Sequence, residues 1–178
     1  MEDRAQALQQ MEAEKERFLT ELKSWTVEER SYHPEGGWNA LQIMEHIITS
    51  EVGTLGYLKK KTQASADDIP AVDAESTANG VGLVSALKSD RQWQAPNVLQ
   101  GPTGMHSFDA LSAHWETVRE DFFGFIDDLS AEYDRRQVFN HPIAGRIGLF
   151  HTLGFLATHI THHMHQLERV KKAMKANA

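Results

Sequence analysis

Four segments of the chain repeat apolar side chains every three or four residues, the spacing of an amphipathic α-helix. They cover residues 3–24, about 39–63, 107–129 and about 147–173. Asn39 followed by Gln42 is the pattern of a capping box at the start of the second segment, and Ser107 is the expected N-cap of the third. Because each helix has only one apolar face, the four must pack against one another. The pattern predicts an all-α fold, a four-helix bundle.

The connections between these segments are marked by glycine, proline and small polar residues. Residues 26–37 are predicted to form a loop, residues 64–80 a second loop, residues 81–90 a short helix and residues 94–104 another long connection. The sequence therefore predicts long loops between helices two and three. No alternating strand pattern and no internal repeat is visible, so residues 1–178 are interpreted as a single domain.

The composition narrows the chemistry that the chain can perform. It has no cysteine, which excludes disulfides, thiolate ligands and a cysteine nucleophile. The net charge of −7 argues against a nucleic-acid-binding surface. No apolar run approaches the length of a membrane span, and the first residues lack the apolar core of a signal peptide. We therefore expect a cytoplasmic protein that acts on a small molecule, with no nucleic-acid or membrane partner.

Four of the ten histidines fall between His159 and His165, in the last predicted helix. His159 and His163 are four residues apart, so they lie on one helical face and can reach one metal ion. Zinc usually takes three or four protein ligands, and a bundle brings facing helices together. His46, on the apolar face of the second helix, is the best candidate for a third ligand. A buried structural histidine remains the alternative.

Two motifs resemble those of the DinB/YfiT-like superfamily. The first is WNALQIMEHI at Trp38–Ile47, with a histidine eight positions after the tryptophan. The second is HITHHMHQL at His159–Leu167, a His-x-x-His-His-x-x-Gln run on the last helix. The glycine- and proline-containing connection at Val98–Gly104, followed by Ser107, also resembles the family pattern. The resemblance covers about residues 5–172.

The resemblance implies a DinB-like four-helix bundle, often a homodimer, in which His46, His159 and His163 bind a divalent metal. Zn²⁺ and Ni²⁺ are the expected ions, although three imidazoles also suit Fe²⁺ and Co²⁺. Characterised relatives include transferases and isomerases that use low-molecular-weight thiols, and others are described as hydrolases or damage-inducible proteins. The reacting group would be a metal-bound water or a thiolate. Gln166 and His162 are the candidates for hydrogen-bonding support around the ligands. His162 is also an alternative ligand, and it is otherwise expected to face a neighbouring helix or solvent.

Several alternatives stay open at the level of sequence. The first hypothesis is a metal-dependent thiol S-transferase or hydrolase, and the second is a stress-related bundle that binds a metal or a small molecule without catalysis. Glu45 and Glu51 lie off the face of His46 and would serve as bases only if loops carried substrate over them. His165 is expected to be exposed or at an interface. The other histidines are interpreted as structural or surface residues: His33, His106, His114, His141 and His151.

Overall fold

A computed structural model describes residues 3–89 and 101–176 of the chain. Its helices are α1 (Arg4–Lys23), α2 (Val27–Ser31), α3 (Ala40–Lys61), α4 (Ala74–Leu87), α5 (Phe108–Asp128) and α6 (Leu149–Ala176). Two short antiparallel strands, β1 (Phe139–His141) and β2 (Gly145–Ile147), form a hairpin before α6. The predicted all-α fold is confirmed, and the four long helices of the prediction are α1, α3, α5 and α6.

The four long helices pack around a shared apolar core. Helix α1 contacts α5 and α6, and α3 contacts the same two helices, so the order around the bundle is α1, α5, α3, α6. Each helix contributes buried apolar side chains to this core, among them Phe18, Ile43, Trp115 and Ile160. Helices α3 and α6 are therefore neighbours, and side chains on their facing surfaces can meet.

The start of α3 is held by the capping box that the sequence predicts. The backbone N–H of Gln42 donates to Asn39 Oδ1 at 2.8 Å, and the backbone N–H of Asn39 donates to Gln42 Oε1 at 3.1 Å. Asn39 Nδ2 also donates to His33 Nε2 at 3.0 Å, which gives His33 the structural role expected for it. The cap thus fixes the first turn of the helix that carries His46.

A buried ion pair joins α3 to α5. The carboxylate of Glu51 accepts hydrogen bonds from Arg119 Nε at 2.9 Å and from Arg119 Nη2 at 2.7 Å. It accepts a third from Trp115 Nε1 at 2.9 Å. Burial raises the pKa of Glu51, and the charge and hydrogen bonds of Arg119 oppose that shift. Because all three donors end on one carboxylate inside the bundle, this pair fixes how α3 and α5 face each other.

Helix α4 lies against the outer side of α6, and a glycine permits the close approach. A Cβ atom on Gly80 would lie 2.2 Å from Cγ of His151, so no larger residue fits there without a shift. This packing completes a wall made of α3, α4 and α6 around the site described below. It also gives His151 the structural role predicted for it.

Three connections differ from the prediction. Residues 64–80 are not all loop, because α4 begins at Ala74. Asp73 is its N-cap and accepts a hydrogen bond from the backbone N–H of Ser76. Residue 90, the predicted end of this helix, lies outside the described residues. Within residues 26–37, Thr26 forms a capping box that starts α2. Residues 94–100 of the second predicted connection also lie outside the described part.

The hairpin is the third difference, since no strand was predicted. Each strand has only three residues, which is too short for alternation to be recognised. Gly145 closes the turn with a φ of +82°, a value that favours glycine. In the described part of the chain, no helix is both long enough and apolar enough to cross a membrane.

Candidate metal centre

Three histidines from two neighbouring helices converge on one point. His46 comes from α3, and His159 and His163 come from successive turns of α6. The ring centroids lie 5.2 Å apart for His46 and His159, 5.0 Å for His46 and His163, and 4.5 Å for His159 and His163. The three residues are only 5–9% exposed. The helical spacing and the bundle therefore bring together the three residues named from the sequence.

The nitrogen atoms of these rings fit a single divalent cation. His159 Nε2 and His163 Nε2 lie 3.0 Å apart, and one ligand atom from each of the three rings lies within 4.8 Å of the other two. Nitrogen ligands at the usual distance of about 2.0–2.1 Å from Zn²⁺ lie roughly 3–3.5 Å from one another. The α6 pair already has this spacing, and a nitrogen of His46 lies within 4.8 Å of both.

Gln166 determines which nitrogen of His163 can bind a metal ion. It lies one turn after His163 on α6, and its Oε1 accepts a hydrogen bond from His163 Nδ1 at 2.8 Å. A proton on Nδ1 leaves Nε2 unprotonated in the neutral ring, with its lone pair directed at His159. Metal-binding histidines commonly donate their second N–H in this way. Gln166 is therefore placed to orient a ligand, as the sequence analysis expects of it.

Burial keeps the three imidazoles neutral, which is the form that binds metals. Burial lowers the pKa of His46 to about 4, and the neighbouring His162 adds to the shift. Burial, with the charge of His46, lowers the pKa of His163 to about 3. The pKa of His159 is well below its ordinary value, mainly because of burial and then because of His163. Near pH 7 each ring is therefore neutral and has one unprotonated nitrogen, so none of the three has to lose an imidazolium proton before a cation binds.

Two aromatic rings contact histidines of the cluster. The ring of Trp38, just before α3, lies 5.0 Å from His46, and the ring of Phe155 lies 5.5 Å from His159. His159 Nδ1 is buried and has no hydrogen-bond partner among the described residues.

The histidines line one large open cavity. Its volume is about 1250 Å³, and its walls come from α3, α4, α6, the β-hairpin and the loop at residues 34–38. The side chains of His162, Gln166 and Arg169 line it near the three histidines, while Leu83 and Phe139 line another part. A small molecule can therefore reach the cluster from the surface.

The remaining sequence candidates occupy different positions. His162 is buried and lines the cavity, with its ring 5.3 Å from His163, so it is neither exposed nor part of the three-histidine cluster. The His165 side chain is 32% exposed, so it is half-buried rather than fully exposed, and its expected place at an interface stays a prediction. The Glu45 carboxylate accepts from Thr103 and from the Gly104 backbone in the loop before α5. Glu51 is committed to the buried ion pair, so neither carboxylate is available as a base at the cluster.

His141 is a cavity residue that sequence reasoning missed, since it was interpreted as structural or surface. It ends β1, is 8% exposed, and lines the same cavity as the three histidines. The only signal in the sequence is the His141-Pro142 step shortly before Gly145, which predicts a turn but not its position. His106 and His114 line a separate small groove beside α3 and α5.

Comparison with known proteins adds one finding to this geometry. The family model described as the DinB superfamily matches residues 3–167, which is most of the chain. Searches of curated proteins and of solved structures found no match. The matched region includes the capping box of α3, the three clustered histidines and Gln166. The chain belongs to the DinB superfamily.

Proposed function

We propose that this protein is a metal-dependent enzyme in which His46, His159 and His163 hold one divalent cation, with Zn²⁺ or Ni²⁺ as the expected ion. The observation that carries the proposal is the convergence of three neutral imidazoles on the wall of an open cavity. When bound, such a cation supplies Lewis-acid chemistry, which lowers the pKa of a thiol or a water molecule. Transfer of a low-molecular-weight thiol and hydrolysis are both reactions of this class.

The residues around the cluster support a catalytic rather than a structural role for the metal. A structural zinc site is usually closed by four protein ligands, whereas a catalytic site keeps one position open. Among residues 3–89 and 101–176, the group of potential ligands contains three histidines and no carboxylate. Glu45 and Glu51, the nearest acidic residues on α3 by sequence, are engaged in other contacts. This composition argues against the alternative of a non-catalytic metal-binding bundle.

The size of the cavity also supports an enzyme that handles two reactants. Small-molecule sites commonly enclose about 300–1000 Å³. The cavity at the histidine cluster is larger, at about 1250 Å³. It combines the polar histidine region with an apolar region around Leu83, Leu87 and Phe139. A small thiol could bind near the cluster while an electrophile with an apolar part occupies the remaining space.

The proposal is tested by metal removal and reconstitution in an activity screen. Purified protein is assayed with small thiols and an alkylating electrophile, and separately with a panel of esters and thioesters. We expect turnover in at least one panel, its loss after chelation, and its return with Zn²⁺ or Ni²⁺ but not with Mg²⁺, which prefers oxygen ligands.

One control variant and two contradicting outcomes complete this experiment. His165→Ala changes a histidine of α6 that is outside the cluster and should retain the activity, which controls for general effects of removing an imidazole. Metal-loaded protein that converts no compound in either panel would contradict the catalytic proposal, and so would turnover that is unchanged by chelation. In the first case the bound metal would favour the non-enzymatic alternative.

A further inference from the structure

The hairpin turn fixes the tautomer of His141. The backbone N–H groups of Ile143 and Ala144 both donate to His141 Nδ1, at 3.3 Å and 3.1 Å. A ring nitrogen that accepts hydrogen bonds carries no proton, so the proton of the neutral imidazole is on Nε2. Pro142 contributes no N–H of its own to this turn. The imidazole therefore closes the turn on one side and presents an N–H donor on the other.

That donor is directed to the cavity that contains the metal centre. The His141 ring lies 4.8 Å from the ring of Phe155, and the Phe155 ring also lies 5.5 Å from His159. His141 and His159 thus flank the same phenylalanine. Within the described part of the chain, no protein group accepts a hydrogen bond from His141 Nε2, and the residue lines the cavity. A ligand in the cavity can supply the missing acceptor.

The chemistry of the ring restricts what that acceptor can be. Burial lowers the pKa of His141 to about 4, so the ring is neutral near pH 7 and acts as a donor rather than as an acid. In an apolar surrounding, the best hydrogen-bond acceptor for a neutral donor is an uncharged oxygen such as that of a carbonyl group. The aromatic rings of Phe139 and Phe155 beside it suit the apolar part of the same molecule.

We propose that His141 Nε2–H binds a carbonyl-type oxygen of a small molecule whose reacting end lies at the three histidines. The substrate class would then be an uncharged carbonyl compound: an amide, an ester or a thioester. This inference rests on the proposed function, because it assumes that the ligand occupies the metal-centre cavity. His141 serves in it as a binding and positioning residue.

The first test reads the tautomer and does not require a metal. A long-range ¹H–¹⁵N spectrum of the metal-free protein, with His141 assigned by substitution, should show a proton on Nε2 and an unprotonated Nδ1. A proton on Nδ1 would overturn the inference, because the ring could then no longer accept from the Ile143 and Ala144 amides.

The second test measures whether the cavity prefers a carbonyl group. Protein loaded with Co²⁺ is titrated with N-methyl mercapto-amides of increasing chain length and with alkane thiols of matched length, and the sulfur-to-cobalt absorption band reports binding. At one chain length, the wild-type protein should bind the amide about 3- to 10-fold more tightly than the matched thiol, the contribution of one neutral hydrogen bond.

Two substitutions separate the turn from the cavity donor. Asparagine can place its Oδ1 near the position of Nδ1, so His141→Asn keeps an acceptor for the turn, and its shorter side chain leaves no donor at the position of Nε2. His141→Gln retains a donor near the position of Nε2. We expect His141→Asn to abolish the preference for the amide while cobalt content and alkane-thiol affinity stay unchanged, and His141→Gln to retain part of the preference.

The outcomes distinguish this inference from the proposed function. An amide preference that is absent in the wild type, or that persists in His141→Asn, would overturn the role of His141 while leaving the metal centre intact. If neither thiol produces a cobalt band in the wild-type protein, thiol binding at the centre fails, and the substrate class inferred here falls with it. The tautomer measurement would then still decide whether His141 is a donor.

Discussion

Replacing Glu51 with alanine should lower the free energy of unfolding by about 3–5 kcal/mol, the usual cost of breaking a buried ion pair by removing one partner. The substitution deletes three hydrogen bonds and leaves the guanidinium of Arg119, whose side chain is 2% exposed, without its main counter-charge. Trp115 Nε1 loses its acceptor as well. Urea denaturation monitored by circular dichroism measures the change, at constant metal content.

A surface ion pair between the same two helices provides the matched control. Lys59 of α3 and Asp121 of α5 form a bridge of 2.6 Å, but their side chains are 42% and 58% exposed. Lys59→Ala should therefore change the free energy of unfolding by only about 0.2–1 kcal/mol. If Glu51→Ala lowers the free energy of unfolding no more than Lys59→Ala does, the buried ion pair is not what holds α3 against α5.

The second large effect is expected at the metal centre. His46→Ala removes the only ligand that α3 provides, so the cation would keep just the two histidines of α6. A four-ligand zinc site binds with roughly 10–16 kcal/mol, so one ligand contributes roughly 2.5–4 kcal/mol. Metal affinity should fall about 10²- to 10³-fold. Competition with a chromophoric chelator measures it.

His165→Ala is the control for this substitution as well. His165 is on α6 but outside the cluster, with Glu168 as its nearest acidic neighbour at 4.0 Å. Its loss should leave metal affinity within about 2-fold of the wild-type value, because it contributes no ligand. Equal affinities for the wild type and His46→Ala would show that α3 takes no part in metal binding, and the three-histidine centre would be wrong.

Much of the fold follows from periodicity and capping. The four long helices start and end within a few residues of their predicted limits, because the apolar spacing is sustained and Asn39 and Ser107 mark two of the starts with local hydrogen bonds. The predicted start of α4 at residue 81 is too late, because residues 64–80 are rich in Asp, Ser, Thr and Gly and contain one proline, a composition typical of a loop. A glycine is needed at position 80 because His151 packs against it, and this tertiary contact cannot be recognised in the sequence.

In the candidate site, too, the features set within one helix could be predicted and those set by tertiary contacts could not. The pairing of His159 with His163, and of His163 with Gln166, depends on spacings within one helix, so the sequence predicts them directly. The position of His46 depends on α3 and α6 being neighbours, which required the bundle and the family resemblance. His141 could not be predicted, because its place in the cavity depends on how a hairpin of two three-residue strands returns to α6. The homodimer stays a prediction.

The most direct test of the central claim is elemental analysis of the protein purified without a histidine tag, beside His163→Ala. His163 Nε2 faces His159 Nε2 at 3.0 Å, so its removal breaks the closest pair of the cluster. We predict about one Zn²⁺ or Ni²⁺ ion per chain in the wild type, lost in the variant. Absence of metal from the wild type after reconstitution, or equal metal content in both proteins, would contradict the three-histidine centre and the function proposed from it.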